Sequence, residues 1–193
     1  PNGSTGSYLS VTVRGDRTCA IREDGRLACW GSDSAYCCPC DDWPSGTYPQ
    51  GYTSGPNAST DRFVAVSVGG IHHTCALRTD GRLRCWGSDS VGEVCYQDVS
   101  NQVSGPNASP YFYRAISTGN YQTCAVRING HLACWGYDDH GQVSGPNAST
   151  DAYTAIGTGD THTCAVRLDG RLACWGDDAY GEISGPNASA GDG

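Results

Sequence analysis

The strongest constraint on this chain is a 14-residue stretch that occurs four times and carries two cysteines in every copy. In the last copy, residues 163–176, it reads Thr-Cys-Ala-Val-Arg-Leu-Asp-Gly-Arg-Leu-Ala-Cys-Trp-Gly. The other copies begin at Thr18, Thr74 and Thr123. Each copy holds two short apolar runs around Asp-Gly, or around Asn-Gly in the third copy, and this pattern predicts a β-hairpin.

The length of the hairpin loop decides how the two cysteines face each other. A three-residue loop such as Leu168-Asp169-Gly170, a type I turn closed by a left-handed glycine, is a common connection. It places Cys164 directly opposite Cys174, with Cβ atoms roughly 4.5–5.5 Å apart, close to what a disulfide needs. A two-residue loop would put the cysteines on opposite faces. The spacing therefore predicts four hairpins, each closed by its own disulfide: Cys19–Cys29, Cys75–Cys85, Cys124–Cys134 and Cys164–Cys174.

The chain is organised as a single repeat domain, residues 1–193. Its four units cover approximately residues 1–55, 56–105, 106–145 and 146–193. The basic period is 40 residues, as from Cys124 to Cys164, and units one and two carry insertions after their Trp-Gly. Insertions at one topological point are typical of loops on one face of a repeat array.

Each unit is predicted to contain four short strands. The first is an alternating run, at residues 63–68, 113–117 and 153–157 in units two to four. The hairpin supplies the second and third, and a fourth is expected near residues 142–144 and 182–184, before Gly-Pro. Period-two alternation without a long helical pattern predicts an all-β chain. A unit of this size cannot be stable alone, so the units must pack on one another, as four-stranded propeller blades do.

The repeat also resembles a known family. The pattern Ile-x-Thr-Gly-x-x-His-Thr-Cys-Ala-Val-Arg-x-Asp-Gly-x-Leu-x-Cys-Trp-Gly-x-Asp-x-x-Gly-Glu is similar to the repeat of the regulator-of-chromosome-condensation superfamily. Its cysteine-bearing form resembles the repeats of crinkly-type plant receptor-kinase ectodomains and of secreted bacterial proteins. The resemblance covers all four units and implies β-propeller blades. It implies little about function, because the superfamily includes a nuclear exchange factor, protein inhibitors of enzymes and receptor ectodomains.

The number of units departs from that family, whose propellers usually have seven blades. Four units are compatible with a closed four-bladed ring, with an open stack, or with part of a larger array.

Cysteine content and charge indicate the compartment and exclude some partners. Twelve cysteines, most of them paired by hairpin spacing, predict an oxidising, extracellular or cell-surface location. A formal net charge of −8 disfavours nucleic acid, because phosphate binding needs a basic surface. No run of 18 apolar residues occurs, so no membrane insertion is expected. The chain starts at Pro1 without a signal peptide, and we expect a matured product or a segment of a longer protein.

Four cysteines lie outside the hairpins: Cys37, Cys38 and Cys40 in the first insertion, and Cys95 in the second. Four cysteines allow three pairings. A bridge between adjacent Cys37 and Cys38 would be strained, so we expect Cys95 to bond one of the three and the other two to pair. Such a bond would tie unit one to unit two. A four-thiolate metal site is the rival interpretation, and adjacent cysteines are poor tetrahedral ligands for it.

Comparison among the units distinguishes structural positions, which recur, from catalytic residues, which should be particular to one unit. The position before Thr-Cys varies in a way that suits a structural hydrogen bond and not a catalytic base: Arg17, His73, Gln122 and His162. A tryptophan follows each second cysteine and is expected to pack between blades, with a sugar-binding platform as the alternative: Trp30, Trp86, Trp135 and Trp175.

The hairpin arginines would form like-charged cross-strand pairs, which are unfavourable without an anionic or aromatic neighbour. They are Arg22, Arg26, Arg78, Arg82, Arg127, Arg167 and Arg171, with His131 in the eighth position. We expect the aspartates after Trp-Gly to be their counter-ions: Asp33, Asp89, Asp138 and Asp178. An anion-binding ring and a calcium loop are the weaker alternatives.

The recurring Ser-Gly-Pro-Asn-Ala-Ser predicts N-glycosylation in a secreted eukaryotic protein. Its acceptors are Asn57, Asn107, Asn147 and Asn187, and Asn2 is a further acceptor through Asn2-Gly3-Ser4; Asn107 is least favoured because Pro110 follows its serine. The alternative role is turn chemistry between blades. Trp43 has no counterpart in the other units and is a candidate for contact with a partner.

No nucleophile–base pair, phosphate loop or metal cluster is evident, so no catalytic residue, cofactor or metal is predicted. The sequence predicts a secreted, non-catalytic propeller that is structural or binds proteins. A specific form is head-to-tail self-assembly into a glycosylated filament or surface layer. The partner is then the chain itself, or another extracellular protein or glycan. The alternative is a lectin-like or peptide-binding propeller that uses Trp43 and the insertion loops.

Overall fold

A computed structural model describes residues 6–36, 47–49, 51–70, 73–87 and 101–185 of the chain. Each unit contains one antiparallel sheet of three strands, with the first strand of the hairpin in the middle, and the insertion of unit one adds a separate two-stranded sheet. The strands of units one and two are β1 (Tyr8–Arg14), β2 (Arg17–Arg22), β3 (Leu27–Gly31), β4 (Ser34–Tyr36), β5 (Thr47–Pro49), β6 (Phe63–Gly69), β7 (His73–Arg78) and β8 (Leu83–Gly87). The strands of units three and four are β9 (Tyr113–Thr118), β10 (Gln122–Arg127), β11 (Leu132–Gly136), β12 (Tyr153–Thr158), β13 (His162–Arg167) and β14 (Leu172–Gly176).

The hairpins have the register that the cysteine spacing predicts. In unit four, Cys164 lies opposite Cys174, and the three-residue loop ends at Gly170 with a φ of +86°. The side chain of Asp169 accepts a hydrogen bond from the Arg171 backbone N–H (3.0 Å), which fixes the turn. All four predicted hairpin disulfides are present, each with Cα atoms 4.1 Å apart.

The predicted fourth strand is wrong. Residues 142–144 and 182–184 form turns that lead into helical structure. Three five-residue helices occupy the Ser-Gly-Pro-Asn-Ala segments: α1 (Ser54–Ala58), α2 (Ser104–Ala108) and α3 (Ser144–Ala148). The proline explains the difference, because it has no N–H to give to a strand ladder while its fixed φ suits the first turn of a helix.

The apolar core lies between consecutive sheets. The first cluster joins Ile21 and Leu27 of unit one to Phe63 and Val68 of unit two. The same type of contact joins unit two to unit three and unit three to unit four. Among the described residues, no sheet is closed and no buried apolar cluster joins unit four to unit one. The result is a propeller-like row of four three-stranded blades. None of its described helices is long and apolar enough to cross a membrane.

Removing a hairpin disulfide should cost more inside the array than at its end. The Cys124–Cys134 and Cys164–Cys174 bridges close loops of equal sequence separation, 10 residues. Loss of either bridge, by a double cysteine-to-alanine change, should lower the free energy of unfolding by about 2–4 kcal/mol, because the bridge restricts the conformations of the unfolded chain. Cys124 is fully buried whereas Cys164 is half-buried, so loss of the inner bridge should cost about 1 kcal/mol more in packing. Denaturant unfolding measures the difference, and equal losses would contradict the packing contribution.

Candidate functional site

Each blade-to-blade interface is built around the tryptophan that follows the second cysteine. Trp86 meets Phe63 edge-on with ring centroids 5.8 Å apart, and its other neighbour is Gly55 of the preceding linker helix. A Cβ at Gly55 would lie 2.5 Å from the indole ring, so only glycine fits there. The same arrangement recurs at Trp135 and Trp175. The recurring tryptophans of units two to four are therefore interface residues, as predicted.

The position before Thr-Cys hydrogen-bonds to the next blade. Each described bond is of a different kind: Arg17 donates to the Gly69 carbonyl (2.6 Å), His73 Nε2 pairs with the Thr123 hydroxyl (2.9 Å), and Gln122 donates to the Gly159 carbonyl (3.1 Å). Arg17 is only 4% exposed, and this burial lowers the pKa of its guanidinium. Three unlike side chains thus serve one structural purpose, which agrees with the sequence-based prediction.

Of the aspartates that follow Trp-Gly, the three that the structure describes do not pair with the hairpin arginines, contrary to the prediction. Asp138 accepts hydrogen bonds from the backbone N–H groups of Val143 (2.7 Å) and Ser144 (2.9 Å) at the start of α3. Asp33 and Asp178 make the same contacts in their own units. The backbone donors win because the first N–H groups of a helix have no partner within it. Asp89 lies outside the described residues.

These hydrogen bonds hold the carboxyl groups in their charged form. Partial burial acts to raise the pKa of Asp33, but hydrogen bonds from Ser54 and Thr53 outweigh it and lower the pKa to about 2. The pKa of Asp138 is lowered in the same way, and backbone donors lower that of Asp178.

The hairpin arginines use other partners. Arg78 pairs with Asp80 of its own turn (3.0 Å) and Asp61 of the preceding linker (3.5 Å). The corresponding pair in unit four is Arg167 with Asp151 (3.1 Å). Two further arginines stack on exposed aromatic rings of the linker between units two and three: Arg82 lies 5.5 Å from the Phe112 ring centroid and Arg127 lies 3.9 Å from that of Tyr111. Aspartates before the first strand and in the turns therefore take the role predicted for those after Trp-Gly.

The asparagine of each described Ser-Gly-Pro-Asn-Ala segment replaces the missing fourth strand. Asn147 accepts a hydrogen bond from the Cys134 N–H (2.7 Å) and donates one to the Cys134 carbonyl (2.9 Å). Asn57 contacts Cys29 in the same two-point manner, and Asn107 contacts Cys85. The amide side chain thus provides a partner for both the N–H and the carbonyl of the middle residue of the outer strand. This contact with the strand edge was not predicted from the sequence, although the recurrence of Asn at one spacing indicates a structural role.

The two-point contact and an N-linked glycan exclude each other. The contact uses the Nδ2 hydrogen that lies on the same side as Oδ1. In a substituted amide, the trans form is favoured by about 2.5 kcal/mol and places the sugar at that hydrogen's position. A glycan on Asn57, Asn107 or Asn147 therefore requires the amide to leave the strand edge.

Two grooves run along these outer edges. The larger, about 480 Å³, lies beside β11 and includes His131, Trp135 and Tyr111, and the smaller, about 310 Å³, includes Arg78, Arg82 and Arg84 beside β8. Within the described ranges, no three His, Cys, Asp or Glu side chains come together as metal ligands. His131 and His140 lie in turns outside the strands. The grooves offer aromatic and guanidinium surface for contacts.

The two ends of the array differ from its interior. Tyr8 of β1 is 39% exposed, whereas its counterparts in the other first strands are at most 3% exposed. Val11 and Val13 of the same strand are 64% and 65% exposed. At the opposite end, Leu172 is 48% exposed, whereas its counterparts at the same hairpin position are at most 6% exposed. We call Tyr8, Val11 and Val13 the unit-one end face, and Cys164, Val166 and Leu172 the unit-four end face.

Several predicted site residues fall outside the described residues. They are Cys37, Cys38, Cys40, Cys95, Trp43, Asn2 and Asn187. Their pairing, contacts and modification stay predictions.

The sequence of the repeated unit matches a known sequence repeat. The Regulator of chromosome condensation (RCC1) repeat matches residues 63–93, 113–142 and 153–182. Units two, three and four thus each contain a segment that matches the RCC1 repeat. Among curated proteins, no sequence matches it significantly.

Solved structures with RCC1-like folds resemble the chain in three dimensions. The ectodomain of the Physcomitrella patens receptor kinase CR4 gives a TM-score of 0.63 at 21% identity, over 89% of this chain and 42% of that one. The ectodomain of Arabidopsis thaliana ACR4 gives 0.60 at 18%, over 89% and 51%. Yeast RCC1 (Prp20), in a structure with Kap60, gives 0.63 at 18%, over 92% and 45%. The chain thus spans about half of each RCC1-like neighbour, and at these identities the likeness concerns the fold alone.

The aspartates that bind the N–H groups at the helix starts should make the stability of the fold depend on pH in the acid range. A carboxyl group with a lowered pKa in the folded state contributes stability above its unfolded pKa and loses it as the pH falls through the folded pKa. For Asp33 this interval runs from 3.8 down to about 2. Asp33→Asn should therefore show a smaller loss of melting temperature over that interval than the unmodified protein. Asp139→Asn, at an exposed carboxylate bonded to the Tyr137 hydroxyl, is the control. An unchanged pH profile in Asp33→Asn would contradict the assignment.

The strand-edge amide can be tested without changing its shape. Asn147→Asp removes the donor and places a carboxylate oxygen against the Cys134 carbonyl, so the free energy of unfolding should fall by about 1–3 kcal/mol. The matched control is Asn129→Asp. Asn129 accepts a hydrogen bond from His131 N–H, and the other units have aspartate at this turn position, so this change should cost less than about 0.5 kcal/mol. Chemical unfolding compares the two variants, and equal effects would argue against the two-point contact.

Proposed function

We propose that the chain is an extracellular, non-catalytic module that binds proteins through a rigid, disulfide-stapled array of blades. The observation that carries the proposal is the disulfide across every hairpin, since such bonds form and persist in oxidising compartments. The RCC1-like neighbours include receptor ectodomains, which supports this location. Other proteins of the same fold are nuclear, so the fold does not indicate an extracellular location. The proposed location therefore depends on the disulfides.

A binding role is supported by the surface and by the kinds of side chain on it. Arginine and aromatic residues are enriched in protein interfaces, and the chain pairs them at Arg127 with Tyr111 and at Arg82 with Phe112. Yeast RCC1 forms a complex with another protein, Kap60, which supports the same general use of the fold.

The first partner that we propose is a second copy of the chain, in a head-to-tail assembly that forms a filament or a surface layer. Its support is the exposure of apolar residues at both ends of the array, where the counterparts within the array are buried. Sedimentation velocity and electron microscopy at rising concentration test this form. Elongating particles are expected, and a chain that stays monomeric throughout would count against it.

Compartment and modification are tested together by intact mass. The eight hairpin cysteines should resist alkylation without a reductant and react after reduction. Enzymatic deglycosylation of the secreted protein would count glycans on the five predicted acceptors. Any glycan at Asn57, Asn107 or Asn147 should accompany loss of the amide contact with the strand edge. Free hairpin thiols in the purified native protein would overturn the extracellular proposal.

The lectin-like alternative stays a prediction, because Trp43 lies outside the described residues. A glycan array that compares the chain with its Trp43→Ala variant separates the two functions. A protein-binding scaffold should give no specific signal with either form, whereas a signal that Trp43→Ala abolishes would favour the lectin.

A further inference from the structure

The two end faces occupy the positions of the two sides of a junction between consecutive blades. At each junction within the chain, two apolar residues of the earlier hairpin pack against the aromatic and aliphatic residues of the following first strand. Ile21 and Leu27 meet Phe63 and Val66 in the first junction. The corresponding residues of the third junction are Val126, Leu132, Tyr153 and Ile156. At every junction, the earlier unit contributes its hairpin and the later unit contributes its first strand.

Strand register identifies what each end face lacks. Tyr8 lies opposite Arg22 as Phe63 lies opposite Arg78, and Val11 lies opposite Ala20 as Val66 lies opposite Ala76. The unit-one end face therefore corresponds to the following half of a junction, and no described residue of this chain supplies its preceding hairpin. Val166 and Leu172 pair across their hairpin as Ile21 and Leu27 do. The unit-four end face corresponds to the preceding half, and the described part of the chain holds no first strand that packs on it.

Among the residues that the structure describes, the two end faces of one chain do not cover each other. Arg14 of unit one and Asp160 of unit four form an ion pair, both side chains being partly exposed. With that contact in place, Val11, Val13 and Leu172 are still 64%, 65% and 48% exposed. Large exposed apolar surfaces mark interaction sites. The chain carries the complement of each end face at its own opposite end.

We propose that the unit-four end face of one copy docks on the unit-one end face of the next and continues the blade row across the junction. This inference deepens the proposed self-assembly by assigning the surfaces. Leu172 and Val166 of one copy would pack against Tyr8 and Val11 of the other, as Leu132 and Val126 pack against Tyr153 and Ile156 within the chain. Such an interface is heterologous, so it gives open filaments, or rings where the rotation closes.

Two single-ended variants test the assignment. Val11→Asp with Val13→Asp places charges on the unit-one end face, and Leu172→Asp places one on the unit-four end face. An unpaired charge in an apolar interface is costly, so each variant alone should associate at least about thirtyfold more weakly than the unmodified chain. All three side chains are exposed, so folding should be unaffected, and melting temperature and disulfide content verify this. Controls are Val64→Asp and Leu168→Asp, at positions 59% and 72% exposed outside both end faces.

Mixing the two variants gives the decisive result. The Val11→Asp, Val13→Asp chain keeps an intact unit-four end face, and the Leu172→Asp chain keeps an intact unit-one end face. An equimolar mixture should therefore form dimers and nothing larger in sedimentation velocity, while both controls assemble like the unmodified chain.

The failures are distinguishable. Assembly of the unmodified chain that neither end-face variant weakens would overturn the assignment of surfaces and leave the proposed self-assembly standing. Variants that are monomeric alone and stay monomeric when mixed would show that the end faces do not pair with each other. An unmodified chain that is monomeric at every concentration would overturn both the assignment and the self-assembly, without touching the disulfide evidence for an extracellular module.

Discussion

Contact between neighbouring sheets is the interaction on which this structure depends. A repeat unit of about forty residues with a three-stranded sheet has too small a core to be stable alone. Its hairpin face is covered by the first strand and tryptophan of the following unit, as Leu132 is covered by Tyr153 and Trp175. The disulfides reinforce this arrangement by fixing the hairpin register, which decides which residues the face presents. Stability in such an array is shared between the units and the interfaces that join them.

The outer edges of the blades show how polar side chains can replace a strand. An exposed edge strand is a site for unwanted pairing, and natural proteins protect such edges. Here Asn147 binds both backbone groups of Cys134, and Asp138 binds the N–H groups that begin α3. Together they hold the linker against the sheet that it leaves. The asparagine thereby combines a structural contact with a glycosylation sequon, and only one of these uses is available at a time.

The functional interpretation follows from the same geometry. Within the described residues, units two and three have both faces covered, whereas units one and four each have one uncovered apolar half. A matching half would extend such an array, and the chain spans about half of its RCC1-like neighbours. The fold by itself does not assign an activity, because one propeller scaffold serves nuclear and receptor proteins alike. The assignment to protein contacts therefore rests on the end faces and the disulfides.

The sequence by itself determined the repeat, the hairpins, the four disulfides and the tryptophan interfaces, because these depend on local spacing and on period-two alternation. It did not determine the fourth strand or the partners of the arginines. The strand pattern near residues 142–144 was overruled by the fixed φ of Pro146 and by the carboxylate of Asp138, both of which favour a helix start. Arg78 and Arg127 have partners on the linker that precedes their hairpin, and such contacts depend on how the linker packs against the blade. Only the tertiary structure decided which apolar residues stay exposed, since identical positions are buried or open according to whether a neighbour follows.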